Sequence, residues 1–237
     1  MSARRELPDG GPRHAAAPAA VPVDERLRMI EVYTSVQGES TFVGLPCVFV
    51  RLAGCNLRCT WCDSEFTFKG GEHRHIDDVV AEVVAEGVPL VEVTGGEPLV
   101  HRQAPLLMQR LLEAGLQVLL ETSGSRDISV VPDGVHVIMD LKAPDSGESE
   151  ANLWSNLAHL DANDEIKIVV ASRRDYEWAR DEIRARALHT VCPVLLSPAW
   201  GCLPPDDLVR WMLEDRLPAR FQVQLHKVVW PSDARGV

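Results

Sequence analysis

Cys47-Val48-Phe49-Val50-Arg51-Leu52 runs straight into Ala53-Gly54-Cys55-Asn56-Leu57-Arg58-Cys59-Thr60-Trp61-Cys62-Asp63-Ser64. The first part is apolar on nearly consecutive positions and rich in β-branched residues, which suits a strand covered on both faces, as in a parallel sheet. The second part is polar and cysteine-rich, a loop too polar for core packing. The same pair of patterns recurs outward along the chain. Strands are predicted at Leu27–Tyr33, Cys47–Leu52, Pro89–Val93, Gln117–Glu121, Val135–Leu141, Ile166–Ala171, Val191–Leu196 and Phe221–Leu225. Polar clusters follow several of them: Thr94-Gly95-Gly96-Glu97-Pro98, Glu121-Thr122-Ser123-Gly124, Asp140-Leu141-Lys142, Ser197-Pro198 and His226-Lys227.

Helical periodicity fills the gaps. Ile76, Val79, Val80, Val83 and Val84 share one helix face, with Asp77 and Asp78 in the first turn and Gly87 at the end. Leu106 to Leu112, Arg174–Leu188 and Asp206–Glu214 give further helices. Strand–helix–strand repetition at this spacing implies right-handed crossovers and an α/β sheet, open or barrel-like. In a barrel of parallel strands the polar clusters gather on one rim, where active sites sit.

The chain has 237 residues, 46 % of them hydrophobic, enough for one substantial core. Lys+Arg 24 against Asp+Glu 35 leaves a net charge of −11, with no basic block to track a phosphate backbone, which argues against a direct nucleic-acid grip. No stretch approaches the roughly 20 uncharged residues of a membrane span, and Met1–Val23 lacks the apolar region of a secretory signal. Residues 1–24, rich in Pro, Ala and Gly, read as a flexible tail, and residues 25–237 as one catalytic domain. Clustered thiols in such a chain indicate metal or redox chemistry in the cytoplasm rather than a disulfide framework.

Cys55-x3-Cys59-x2-Cys62 sets three thiolates on one tight loop, matching three corners of an iron–sulfur cubane with one iron left open. From spacing alone, structural zinc with His73 or His75 as fourth ligand stays open. Cys47, Cys192 and Cys202 read as inert buried thiols.

The cysteine spacing, with an aromatic before the last cysteine, resembles the radical S-adenosylmethionine (SAM) superfamily, and Thr94-Gly95-Gly96-Glu97-Pro98 matches its second signature. Val36-Gln37-Gly38-Glu39, Phe49–Cys59, Trp61-Cys62-Asp63-Ser64, Glu121–Gly124, Asp140-Leu141-Lys142, Leu225–Trp230 and the ending Arg235-Gly236-Val237 are together similar to the 7-carboxy-7-deazaguanine synthases. The resemblance implies a partial or shortened (β/α) barrel and a Mg2+-dependent rearrangement of 6-carboxy-5,6,7,8-tetrahydropterin to 7-carboxy-7-deazaguanine with loss of ammonia, in 7-deazapurine and queuosine biosynthesis. It also implies a homodimer, an electron donor of flavodoxin or ferredoxin type, and three cofactors: a 4Fe–4S cluster, SAM and Mg2+.

Carried over residue by residue, Cys55, Cys59 and Cys62 hold the cluster. Trp61, Cys62, Asp63, Gly96, Asp140, Lys142 and Ser197 contact SAM, with Gly96 allowing close backbone approach. Ser64 stands where the family usually has Thr as magnesium ligand; its plain alternative is a turn bond to Asp63. Asp140 and Lys142 have the plain alternative of a strand-end ion pair. Val36, Gln37, Gly38, Arg51, Thr94, Glu121, His226 and the Val237 carboxylate are the substrate-binding candidates. Among them Arg51 suits a carboxylate, Glu121 a guanidine-like N–C–N edge, and His226 has a structural alternative. Two rival readings are an activating enzyme for a glycyl-radical partner and a zinc-stabilised module without catalysis.

Overall fold

The computed structural model describes residues 25–232 and 234–236; the tail assigned to 1–24 and the Val237 carboxylate lie outside them. β1 (Arg26–Val36) turns through a loop into β2 (Pro46–Leu52), with which it pairs antiparallel. β3 (Glu72–His75) pairs antiparallel with the start of β1. This edge strand was absent from the expected set because Glu-His-Arg-His carries no apolar pattern; its charged side chains suit an exposed sheet edge.

Then follow α1 (Ile76–Ala85), β4 (Leu90–Gly95), α2 (Ala104–Glu113), β5 (Gln117–Thr122), β6 (His136–Leu141), β7 (Glu165–Val170), α3 (Arg173–Ala185), β8 (Val194–Pro198) and α4 (Pro205–Asp215). β9 (Arg220–Phe221) and α5 (Leu225–Val229) close the sequence of elements. The strand expected at Phe221–Leu225 therefore shrinks to two residues, and His226 and Lys227 lie on a helix rather than after a strand. That apolar run is too short for periodicity to separate strand from helix.

The nine-stranded sheet has the order β3-β1-β2-β4-β5-β6-β7-β8-β9, parallel from β2 onward, and its edges do not meet. Alternation along the strands sorts the side chains. Val48, Val50, Leu52, Val91, Val93, Val118 and Leu120 pack against α1 and α2. Val137, Met139, Leu141, Ile166, Ile168, Val194 and Leu196 pack with residues of α3 and α4. The opposite, concave face carries Cys47, Phe49, Leu90, Leu119 and Ile138 in a small apolar cluster, and Arg51, Thr94, Glu121, Asp140 and Lys167 beyond it.

The β1–β2 loop spans the gap left by the open barrel. Thr41 N–H donates to both carboxylate oxygens of Glu165 at the start of β7 (3.0 and 3.1 Å), and Ser40 N–H to Gln222 Oε1 (2.8 Å). Phe42 meets the His136 ring edge-on at 4.8 Å, and Gly38 O accepts from Leu225 N–H at 2.9 Å. One loop thus links β1 and α5 to the paired strands β6 and β7, with which neither shares a strand pairing.

Candidate active site

Gly54, at φ +92, turns the chain out of β2 in a conformation that favours glycine. Its N–H donates to Thr67 O (2.6 Å) and its carbonyl accepts from Glu97 N–H (3.0 Å). The cysteine loop is thereby pinned to the turn at Glu65–Phe68 and to the segment after β4. Gly96 makes that second contact possible: a Cβ there would stand 2.4 Å from Gly54 O and 2.6 Å from Cys55 Cβ. The freedom expected at Gly96 for an approaching cofactor is thus also demanded by the cysteine loop itself. Glu97, fully buried, accepts from Thr122 Oγ1 (2.9 Å) and Ser123 N–H (2.7 Å), fixing this segment to the end of β5.

Cys55, Cys59 and Cys62 face one cavity of about 750 Å³. Burial pushes all three thiols up, Cys59 to about 11, so taking up a metal releases protons. The donor set fits an iron–sulfur cluster: three soft ligands and no fourth cysteine on the loop. His73 and His75, the alternative zinc ligands, do not line the cavity; His75 stands beside Glu25 and Asp77 instead. Cys47 and Cys192 are buried as expected, whereas Cys202 is exposed and lines the cavity, on the loop after β8. Sequence gave no sign of this, because a cysteine flanked by Gly201 and Leu203 reads alike in either setting.

Trp61, Asp63, Ser64, Asp140 and Lys142 share the cavity wall. Ser64 Oγ donates to Asp63 Oδ1 (3.0 Å), and Asp63 Oδ2 accepts from Lys227 Nζ (2.6 Å). Lys142 Nζ donates to Asp140 Oδ2 (2.7 Å), while Asp140 Oδ1 is buried without a partner. Burial opposes the Lys142 charge, but Asp140 prevails and raises its pKa. Both plain alternatives, the turn bond and the ion pair, are therefore present, within residues that also line the cavity. Ser197 differs. Its hydroxyl is buried and unpartnered, and the residue does not line the cavity.

At the other end of the cavity, six separate stretches of chain meet. Gln37 Nε2 donates to Glu92, and Lys167 Nζ bridges Glu39 Oε2 (2.8 Å) and Glu121. Thr94 Oγ1 lies 3.4 Å from Glu121 Oε2. Burial, reinforced by Glu121, holds the Glu92 carboxyl well above the usual range and so favours its neutral form. Burial also opposes charge on Glu121, but Lys167 overrides it and keeps that carboxyl ionised. Arg51 Nε donates to Glu31 Oε1 (2.9 Å) and Nη2 to Tyr33 OH (2.7 Å), which aims the guanidinium along the wall. Val36 and Gly38 line the same end. A Cβ at Gly38 would stand 2.2 Å from His226 Nδ1, and burial lowers the His226 pKa, favouring the neutral imidazole. Glu92 and Lys167 were not among the expected site residues, yet each left a signal: a charge inside an apolar strand, as in Val91-Glu92-Val93 and Ile166-Lys167-Ile168.

Three thiols after the first parallel strand of an open barrel define a radical SAM enzyme, and the model of the Radical SAM superfamily matches residues 49–145. A 7-carboxy-7-deazaguanine synthase of Koribacter versatilis (strain Ellin345) is 46 % identical over 227 residues, covering 89 % of this chain and 100 % of the relative. One from Chlorobaculum tepidum is 45 % identical over 215 residues, covering 89 % and 97 %. The chain belongs to the 7-carboxy-7-deazaguanine synthase family. Its fold is similar to the crystal structure of QueE from Escherichia coli, with a TM-score of 0.71 over 85 % of this chain and 95 % of that one, at 23 % identity.

Proposed function

We propose that this protein is a radical SAM lyase that rearranges 6-carboxy-5,6,7,8-tetrahydropterin to 7-carboxy-7-deazaguanine with loss of ammonia, in queuosine and related 7-deazapurine biosynthesis. The observation that carries the reading is one cavity with three thiols in its wall and an ionised carboxylate opposite, in a chain 89 % of which aligns with a relative of that family along the whole length of that relative. The cofactors are a 4Fe–4S cluster, SAM and Mg2+. When bound, they supply a 5′-deoxyadenosyl radical and a hard cation for the substrate carboxylate.

The chain's residues do the rest. Cys55, Cys59 and Cys62 hold the cluster, and Trp61, Asp63, Gly96, Asp140 and Lys142 shape the SAM pocket, with Asp140 Oδ1 free to accept a hydrogen bond. Ser197 keeps a place in this set only through its own unpartnered hydroxyl, two strands along on β8. Ser64 offers a hard oxygen to Mg2+. Arg51 meets the substrate carboxylate; Val36, Gln37, Gly38, Thr94, Glu121 and His226 read the pterin rings. The apolar wall around Phe49 and Ile138 excludes water from the reacting centre.

The catalytic unit runs from 25 to 237. Family kinship supports a homodimer and a flavodoxin- or ferredoxin-type electron donor, and the clustering of the thiols supports a cytoplasmic setting; the −11 charge weighs against nucleic acid as a direct partner. No described helix is long and apolar enough to cross a membrane. The test is anaerobic turnover of the cluster-reconstituted protein with SAM, reductant, Mg2+ and 6-carboxytetrahydropterin, read by mass spectrometry. Carboxy-deazaguanine alongside 5′-deoxyadenosine is expected. 5′-Deoxyadenosine alone would sink the substrate assignment and leave the radical chemistry.

A further inference from the structure

Lys167 sits at the middle of β7 with 5 % of its side chain exposed, and it holds two carboxylates that the sequence keeps far apart. Glu39 comes from the β1–β2 loop and Glu121 from β5. Burying an ammonium in an apolar strand is costly, and replacing a buried ion pair by apolar side chains is often neutral or stabilising, so packing gives no reason for a lysine here. All three residues line the cavity.

Hydrogen-bond accounting shows what the group offers. Lys167 takes one oxygen of each carboxylate; Gln224 Nε2 donates to the other oxygen of Glu39 (2.9 Å), Thr94 Oγ1 approaches the other oxygen of Glu121, and the Glu92 carboxyl also hydrogen-bonds Glu121. Each carboxylate oxygen has two acceptor directions, so both side chains keep free lone pairs. The ammonium, bonded to one oxygen of each, holds the two carboxylates side by side in the cavity wall.

We propose that Lys167 is a positioning residue for specificity: by bridging Glu39 and Glu121 it holds them as a single acceptor wall that accepts a pyrimidine edge with adjacent N–H donors and rejects one carrying a carbonyl in place of the amino group. Such an edge belongs to a 2-amino-4-oxo ring and not to a 2,4-dioxo ring. This rests on the pterin reading of the cavity and names the part of the ring system that the wall recognises.

The test compares 6-carboxytetrahydropterin with its 2-oxo counterpart on the cluster-loaded full chain and on Lys167→Met. The parent protein should favour the amino compound by roughly a thousandfold or more in kcat/KM, because a buried acceptor facing a carbonyl stays unpaired. Lys167→Met should lose at least about 30-fold in kcat/KM for the amino compound, most of it in KM, and the preference should shrink at least tenfold, with the cluster absorbance unchanged. A variant that keeps the parent's KM and preference overturns the role of Lys167 and leaves the pterin reading intact. A parent that forms 5′-deoxyadenosine yet converts neither compound overturns the pterin reading itself. Should Lys167→Met fail to load its cluster, Glu39→Gln cuts only the loop side of the bridge and leaves the buried Lys167–Glu121 pair. It should narrow the preference in the same direction, and an unchanged preference overturns the proposal.

Discussion

The cysteine loop and the acidic end of the cavity face each other, yet they are built in opposite ways. Residues 54–68 are contiguous, and their donors are spaced by the backbone of a single turn pinned at Gly54. The acidic end takes Gln37 and Glu39 from the β1–β2 loop, Glu92 from β4, Glu121 from β5 and Lys167 from β7. A contiguous site depends on its ligand atoms and on a few backbone contacts. An assembled site depends on the whole sheet and on the loop that spans its gap. Loss of function should therefore be abrupt at the thiols and backbone contacts of the first region and graded at the second.

Cys59→Ala should produce the largest effect, removing both the iron–sulfur absorbance and SAM cleavage; full activity without that thiol would break the contrast at its root. Gly96→Ala comes next. Its methyl would strike Gly54 O and Cys55 Cβ, backbone and near-backbone atoms that cannot swing aside. Cluster occupancy, measured as iron and sulfide per chain, should fall severely while far-ultraviolet circular dichroism holds.

The assembled region is probed by Glu165→Gln, which weakens the clasp on Thr41. Burial opposes charge on Glu165, but the hydrogen bonds from His136 and Thr41 hold its carboxyl below the usual range. A depressed carboxylate stabilises the fold above its unfolded-state pKa and loses that contribution as pH falls through the folded-state value. The variant should lose about 1–3 kcal/mol of stability near neutrality, and the gap in Tm should close in the acid range. Substrate KM should rise a few-fold because Gln37 and Glu39 ride on the same loop, while cluster absorbance stays intact. A pH-independent gap would separate the loop from Glu165 ionisation. Ser64→Ala should be the mildest: a higher Mg2+ requirement with an unchanged cluster spectrum. An unchanged magnesium titration would place the cation elsewhere.

The legibility of the two regions followed their construction. Cys55, Cys59 and Cys62 were readable because their spacing is itself the geometry, whereas Ser64 stood out only through the family resemblance. The parallel strands were readable for a similar reason: Cys47–Leu52 and Ile166–Val170 advertise burial on both faces. β3 and α5 were not, since one is a charged edge and the other a run too short to show a period. Ser197 illustrates the limit of the rim rule, for a residue at a strand's end can remain behind the surface it was expected to line. Cys202 illustrates the reverse, a residue brought to the cavity by a loop whose path no local pattern records.

Sequence by itself determined the α/β class, the order of most elements, the thiol loop and the family kinship, because each rests on local spacing or on residues read in series. Only the tertiary structure decided that the barrel stays open, that the β1–β2 loop spans it, and that Glu39, Glu92, Glu121 and Lys167 become one network. Those pairings join residues as much as 128 positions apart. Their charge states depend on mutual distance and exclusion from water, quantities that arise only once the chain has folded.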